Sequence, residues 1–95
     1  MRFRGYSWTA AARKHGVSRE QVRHVVEHCG LVHVRVPAPP DRPDEALLFL
    51  GDDANGVAYE VVGILCNDGR LRVIHVMPMR EIYRPLYREA ARWRV

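Results

Sequence analysis

Glu60, His75 and Arg80 are the residues through which this chain is best equipped to do chemistry. A carboxylate beside an imidazole raises its basicity, burial lowers it, and the pair together can move protons. Arg80 stands at the same end of the strand that carries His75. The same Glu–His pair also describes a core histidine satisfied by one carboxylate, and residue types alone leave both readings open.

Other reactive residues form weaker patterns. His24 and His28 stand four apart on a helical pattern, near Glu27 and Cys29. Two imidazoles at that spacing can share a metal, but no third and fourth ligand follow at a zinc spacing. Gly51-Asp52-Asp53-Ala54-Asn55-Gly56 is acidic, yet it lacks the EF-hand spacing and terminal glutamate. It reads as a polar turn. There is no phosphate-binding glycine loop and no nucleophile elbow. No metal and no cofactor is expected. Cys29 and Cys66 belong to no CxxC and read as buried free thiols.

The element that must position Glu60 and His75 is a hairpin over Val57 to Arg80. Two apolar runs flank Asn67-Asp68-Gly69-Arg70, and Asp-Gly predicts a two-residue type I′ turn. That turn sets Cys66 opposite Leu71, Ile64 opposite Val73, Val62 opposite His75 and Glu60 opposite Met77. All eight side chains then share one face, with Glu60 diagonal to His75. Tyr59, Val61, Leu65, Arg72, Ile74 and Val76 take the other.

Upstream, Ser7 reads as the N-cap of a short helix over Trp8 to His15, with Trp8, Ala11, Ala12 and His15 on one side. Ser18 and Gln21 predict a capping box for a second helix, which Gly30 ends. These two helices resemble a helix-turn-helix only loosely. The first is about two turns long and no third helix completes a DNA-reading core. Leu31 to Val36 alternates as a strand, and Ala46 to Leu50 is a short apolar strand. Between them Pro37, Pro39, Pro40 and Pro43 predict a surface loop. Met79 to Trp93 reads as a C-terminal helix, kinked or started by Pro85, with Arg80, Arg84, Arg88 and Arg92 as a basic ridge. The expected class is α+β: two N-terminal helices, a four-stranded, mostly antiparallel sheet covered on one face, and a C-terminal helix.

The totals agree with one domain over residues 1–95. The formal charge is +4, and fourteen of the fifteen basic residues are arginine. That bias suits a phosphate-binding surface, and it equally suits a genome rich in arginine codons. No apolar run reaches the ~20 residues of a membrane span, and Met1 to Trp8 lacks a signal-peptide core. A cytoplasmic protein with no membrane partner is the expectation.

Three segments together resemble a known family. They are Trp8 followed by Ala12-Arg13-Lys14-His15-Gly16-Val17-Ser18, a strand pair with a short turn, and Ile74-His75-Val76-Met77-Pro78-Met79-Arg80 leading to a helix with Tyr87. This resembles the BrnT-type toxins, small ribonucleases of the RelE superfamily from bacterial type II toxin–antitoxin systems. The resemblance implies metal-independent RNA cleavage by attack of a 2′-hydroxyl. Arg80 matches the strand-end arginine and would neutralise phosphate, while His75 stands where the family has arginine, as base or acid with Glu60 orienting it. Lys14 and His15 match the opening motif. Tyr83 and Tyr87 would stack a base or donate a proton, and Arg84 would join the RNA surface. The implied partners are RNA and a cognate antitoxin, in a heterocomplex or a homodimer. The alternative is a non-catalytic interaction protein on the same fold.

Overall fold

The structure is a computed structural model that describes residues 2–35 and 46–94. Its elements in chain order are β1 (Gly5–Trp8), α1 (Arg19–His28), β2 (Val32–Arg35), β3 (Ala46–Asp52), β4 (Ala58–Leu65), β5 (Arg70–Pro78) and α2 (Arg84–Ala91). Single 3-10 turns at Ala11–Arg13 and Glu81–Tyr83 precede the two helices. The proline loop lies outside the described residues. No helix among the described residues is long and apolar enough to cross a membrane.

Three expectations about architecture are overturned. The predicted first helix is instead strand β1 followed by one 3-10 turn. Tyr6 and Trp8 are both large aromatic residues two apart, a strand pattern that favours pairing with the open edge of β5. Thr9 then closes the turn, accepting at Oγ1 from the Ala12 N–H, and Gly16 at φ +68° redirects the chain. The sheet is also five-stranded and mixed rather than four-stranded. Its order is β1-β5-β4-β3-β2, with β1 parallel to β5 and the other pairs antiparallel.

Both faces of the sheet are covered, rather than one. Ser18 and Gln21 form a capping box that starts α1, with bonds of 3.1 and 2.8 Å. This helix buries Val22, Val25, Val26 and Cys29 against Phe49, Val61, Leu71, Val73 and Val76. On the opposite face, Ala46, Leu48, Leu50 and Val62 pack with Leu86 and Tyr87 of α2. Pro85 stands in the first turn of α2, where a missing N–H costs nothing.

The hairpin turn differs from the type I′ expectation. Gly69 alone takes positive φ, at +86°, and Cys66 caps the loop by donating to Arg70 O at 2.8 Å and accepting from Gly69 N–H at 3.0 Å. This is a three-residue loop with glycine in the left-handed position. The extra residue shifts the near half of the ladder, so Leu65 faces Leu71 and Gly63 faces Val73. A bulge between Val62 and Gly63 then restores the expected pairing, with Val62 opposite His75 and Glu60 opposite Met77. The bulge also exchanges faces. Leu71 and Val73 join the α1 core, while Arg72 moves to the face of His75.

Gly63 allows this local packing. A Cβ there would lie 2.7 Å from Leu71 Cδ1 and 2.8 Å from its Cγ. Gly63→Ala is expected to destabilise by about 1–3 kcal/mol through overpacking. In a Leu71→Ala background the same change should cost little, as urea unfolding of the four proteins would reveal. An equal cost in both backgrounds would show that Leu71 is not what excludes the methyl group.

Candidate functional site

The site forms where β4, β5 and the start of the C-terminal segment meet. Glu60 lies in β4, the central strand, and its side chain is only 1% exposed. A buried carboxylate persists as an ion only with close partners. Arg80 provides most of them. Its Nη2 and Nε donate to Oε1 at 2.7 and 3.0 Å, its Nε also reaches Oε2 at 3.2 Å, and its backbone N–H donates to Oε2 at 3.0 Å. His75 Nε2 completes the group at 2.9 Å from Oε1.

Burial pushes the Glu60 carboxyl up, but the Arg80 fork, its backbone N–H and His75 outweigh it and hold the carboxyl below its usual range. In turn, the Glu60 carboxylate raises Arg80. An ionised carboxylate has no proton to give, so Nε2 of His75 carries the hydrogen. A neutral imidazole then exposes its lone pair at Nδ1. The His75 side chain is 32% exposed and that of Arg80 is 48% exposed, so the buried anion is covered by two cationic or proton-carrying groups that reach solvent.

Local conformation brings Arg80 to Glu60. Arg80 is extended at φ −84° and ψ 151°, as the residue before the 3-10 turn. It therefore leaves the basic ridge expected with Arg84, Arg88 and Arg92, and it turns back over β4. Tyr83 lies beneath the guanidinium, with its ring centroid 5.5 Å from Cζ.

The other sequence-predicted residues are distributed more widely. Arg84 is paired with Glu81 at 2.6 Å on the surface. Tyr87 is committed elsewhere, donating to Asp52 Oδ1 at 2.6 Å beneath Arg94. Lys14 and His15 are exposed in the connection leading to α1, and among the described residues neither side chain bonds to the Glu60 group. Arg72 is a charged residue that strict alternation along β5 misplaces. It alternates with buried Leu71 and Val73, is exposed, and lies on the His75 face. Only the bulge reveals this, since strict alternation sends it to the other side.

The acidic turn is explained by structure. Asp53 Oδ1 accepts from the N–H groups of Asn55 and Val57, and Oδ2 accepts from Gln21 Nε2. The Gln21 amide bond, first, and these backbone bonds hold the Asp53 carboxyl below its usual range. The His24 and His28 rings lie with centroids 4.5 Å apart and tilted by 37° beside a cleft of about 340 Å³, and His24 Nδ1 lies 3.0 Å from Asp52 O. Among the described residues no three potential ligands converge as a metal site would require. Cys29 is buried and Cys66, at the hairpin loop, is half-buried; both are free thiols.

Comparison with protein-family models and with curated proteins gave no match for this chain.

The depressed Glu60 carboxyl links stability to pH with a definite sign. The ionised group stabilises the fold fully above the ordinary glutamate range, near pH 4–5. That contribution is lost as pH falls through the lower folded-state value. Glu60→Gln is expected to cost about 1–3 kcal/mol at pH 7 and to flatten the loss of stability between pH 5 and 3. Urea unfolding at a series of pH values measures both. An unchanged acid limb in the variant would remove Glu60 from the linkage.

Proposed function

We propose that this chain cleaves RNA without a metal ion, as the toxin of a type II toxin–antitoxin pair. The observation that carries the reading is His75: a part-exposed imidazole whose Nε2–H is held by a buried carboxylate, with Nδ1 free of any described partner. That is how an acidic residue fixes the tautomer of a working base. Arg72 and Arg80 add positive charge to the same face.

In this reading Nδ1 of His75 takes the proton of a ribose 2′-hydroxyl. The 2′-oxygen forms a bond to the adjacent phosphorus as the bond to the 5′-oxygen breaks. The products are a 2′,3′-cyclic phosphate and a 5′-hydroxyl, whose proton is assigned to Tyr83. Arg72 and the remaining amino group of Arg80 offset the charge that builds on the phosphate oxygens. Glu60 touches no substrate and is a positioning residue. The resemblance to BrnT-type toxins adds the antitoxin, a partner that would mask this face.

One observation favours the rival, a non-catalytic interaction protein. Arg80 commits Nε, one Nη2 hydrogen and its backbone N–H to Glu60, which leaves Nη1 and the second Nη2 hydrogen for phosphate. The group would then act as a brace between β4, β5 and α2.

Purified wild type, His75→Ala and Arg80→Ala incubated with single-stranded RNA in EDTA separate the two. Wild type is expected to release cyclic-phosphate ends, and His75→Ala to slow cleavage by about 10²–10⁴-fold. A 2′-deoxy substitution at the cut position should block it. Intact RNA with the folded wild type, or cleavage that survives both substitutions, would overturn the assignment.

A further inference from the structure

The edge strand β1 has Arg19 and Arg23 of α1 over a face that the RNA reading does not use. It is outermost in the sheet, beside β5, and its outer edge pairs with no described strand. Such an edge presents backbone donors and acceptors in register. Arginines flank it on both faces. On the α1 side, the Arg19 guanidinium lies 5.7 Å from the Trp8 ring centroid and that of Arg23 lies 5.3 Å from the Tyr6 centroid. On the other side, Arg70 and Arg72 stand beside Gly5 and Ser7, and the Arg70 side chain packs 3.7 Å from where a Gly5 Cβ would be.

We propose that the open edge of β1 accepts an acidic extended segment of a partner protein as a sixth strand. The charge of the flanks selects the occupant. Among the described residues, the side chains of Arg19, Arg23 and Arg72 make no ion pair or hydrogen bond, and Arg70 has only a 3.9 Å contact with Asp68 in which both side chains are exposed. A second copy would bring the same arginines against themselves, which disfavours self-pairing. Nucleic acid is disfavoured by the aromatic rings. Tyr6 and Trp8 stack on each other at 5.8 Å, pack against the core and carry guanidinium groups, so both rings are already engaged where a base would stack. Spacing favours a strand. Arg19 and Arg23 are one helical turn apart, about 6 Å, and alternate side chains of a strand repeat at about 6.6 Å. Carboxylates at every second residue would meet both, while main-chain bonds to β1 set the register.

Arg72 also serves the proposed RNA face, but Arg19 and Arg23 lie on the face opposite His75, so substituting those two tests the β1 edge separately from RNA cleavage. The probe is a fluorescein-labelled ten-residue peptide of alternating Glu and Val, titrated by fluorescence anisotropy. Amide hydrogen exchange is followed in parallel. Binding is expected to slow exchange in Gly5–Trp8 and not in the other edge strand, β2. Arg19→Glu with Arg23→Glu should weaken binding at least tenfold, and Arg19→Gln with Arg23→Gln should weaken it less, with RNA cleavage unchanged in both. Absence of binding to the wild type, protection on β2 instead of β1, or binding that the substitutions leave intact would each overturn the proposal. Tighter binding of decauridylate, lost on the same substitutions, would also overturn it and make this a nucleic-acid surface.

Discussion

An ionised carboxylate in the middle strand of a small sheet demands compensation, and Glu60 receives it from three directions. Without partners its desolvation would favour the protonated form or an open core. The Arg80 fork, the Arg80 N–H and His75 instead keep it charged. Meeting that demand shapes the surrounding fold. The chain leaving β5 must turn back over β4, Arg80 must stay extended, and the 3-10 turn and α2 must begin where they do. The one apolar cluster that α2 joins, with Leu48, Leu50 and Val62, flanks this group.

Functional character follows from the asymmetry of burial. The anion is inside, while the two side chains that neutralise it reach solvent. An imidazole fixed at one nitrogen and open at the other is a usable base, and it is equally a sound brace. The helices divide the sheet in a way that leaves this choice to the surface. One covers the face built by Phe49, Val61 and Val73, and the other packs chiefly on the β3 side of the opposite face. Arg72 and His75 share the remainder of that face, next to the arginine-flanked edge of β1.

Two local irregularities decide which residues meet. The hairpin loop holds one residue more than Asp-Gly alone suggests, because only Gly69 needs the left-handed conformation. The bulge opposite Val62 and Gly63 takes up that offset within the same hairpin. Their effects cancel for Glu60 and His75, which is why a simple pairing already placed them together. They do not cancel for Leu71, Arg72 and Val73, whose faces are exchanged relative to a regular ladder.

By itself the sequence determined local features: the capping box of Ser18 and Gln21, the existence of the hairpin, and the closeness of Glu60 to His75. These depend on side chains a few residues apart or on one turn. Tertiary structure alone decided that Gly5–Trp8 is a strand, since its partner β5 lies some 65 residues away in sequence, and local helix signals do not register a free sheet edge. It decided that Arg80 leaves its helical ridge, because a buried anion on another strand outbids a solvated surface position. It also decided where Arg72 points, because a bulge is a response to packing on both sides of the ladder, and no alternation in the chain records it.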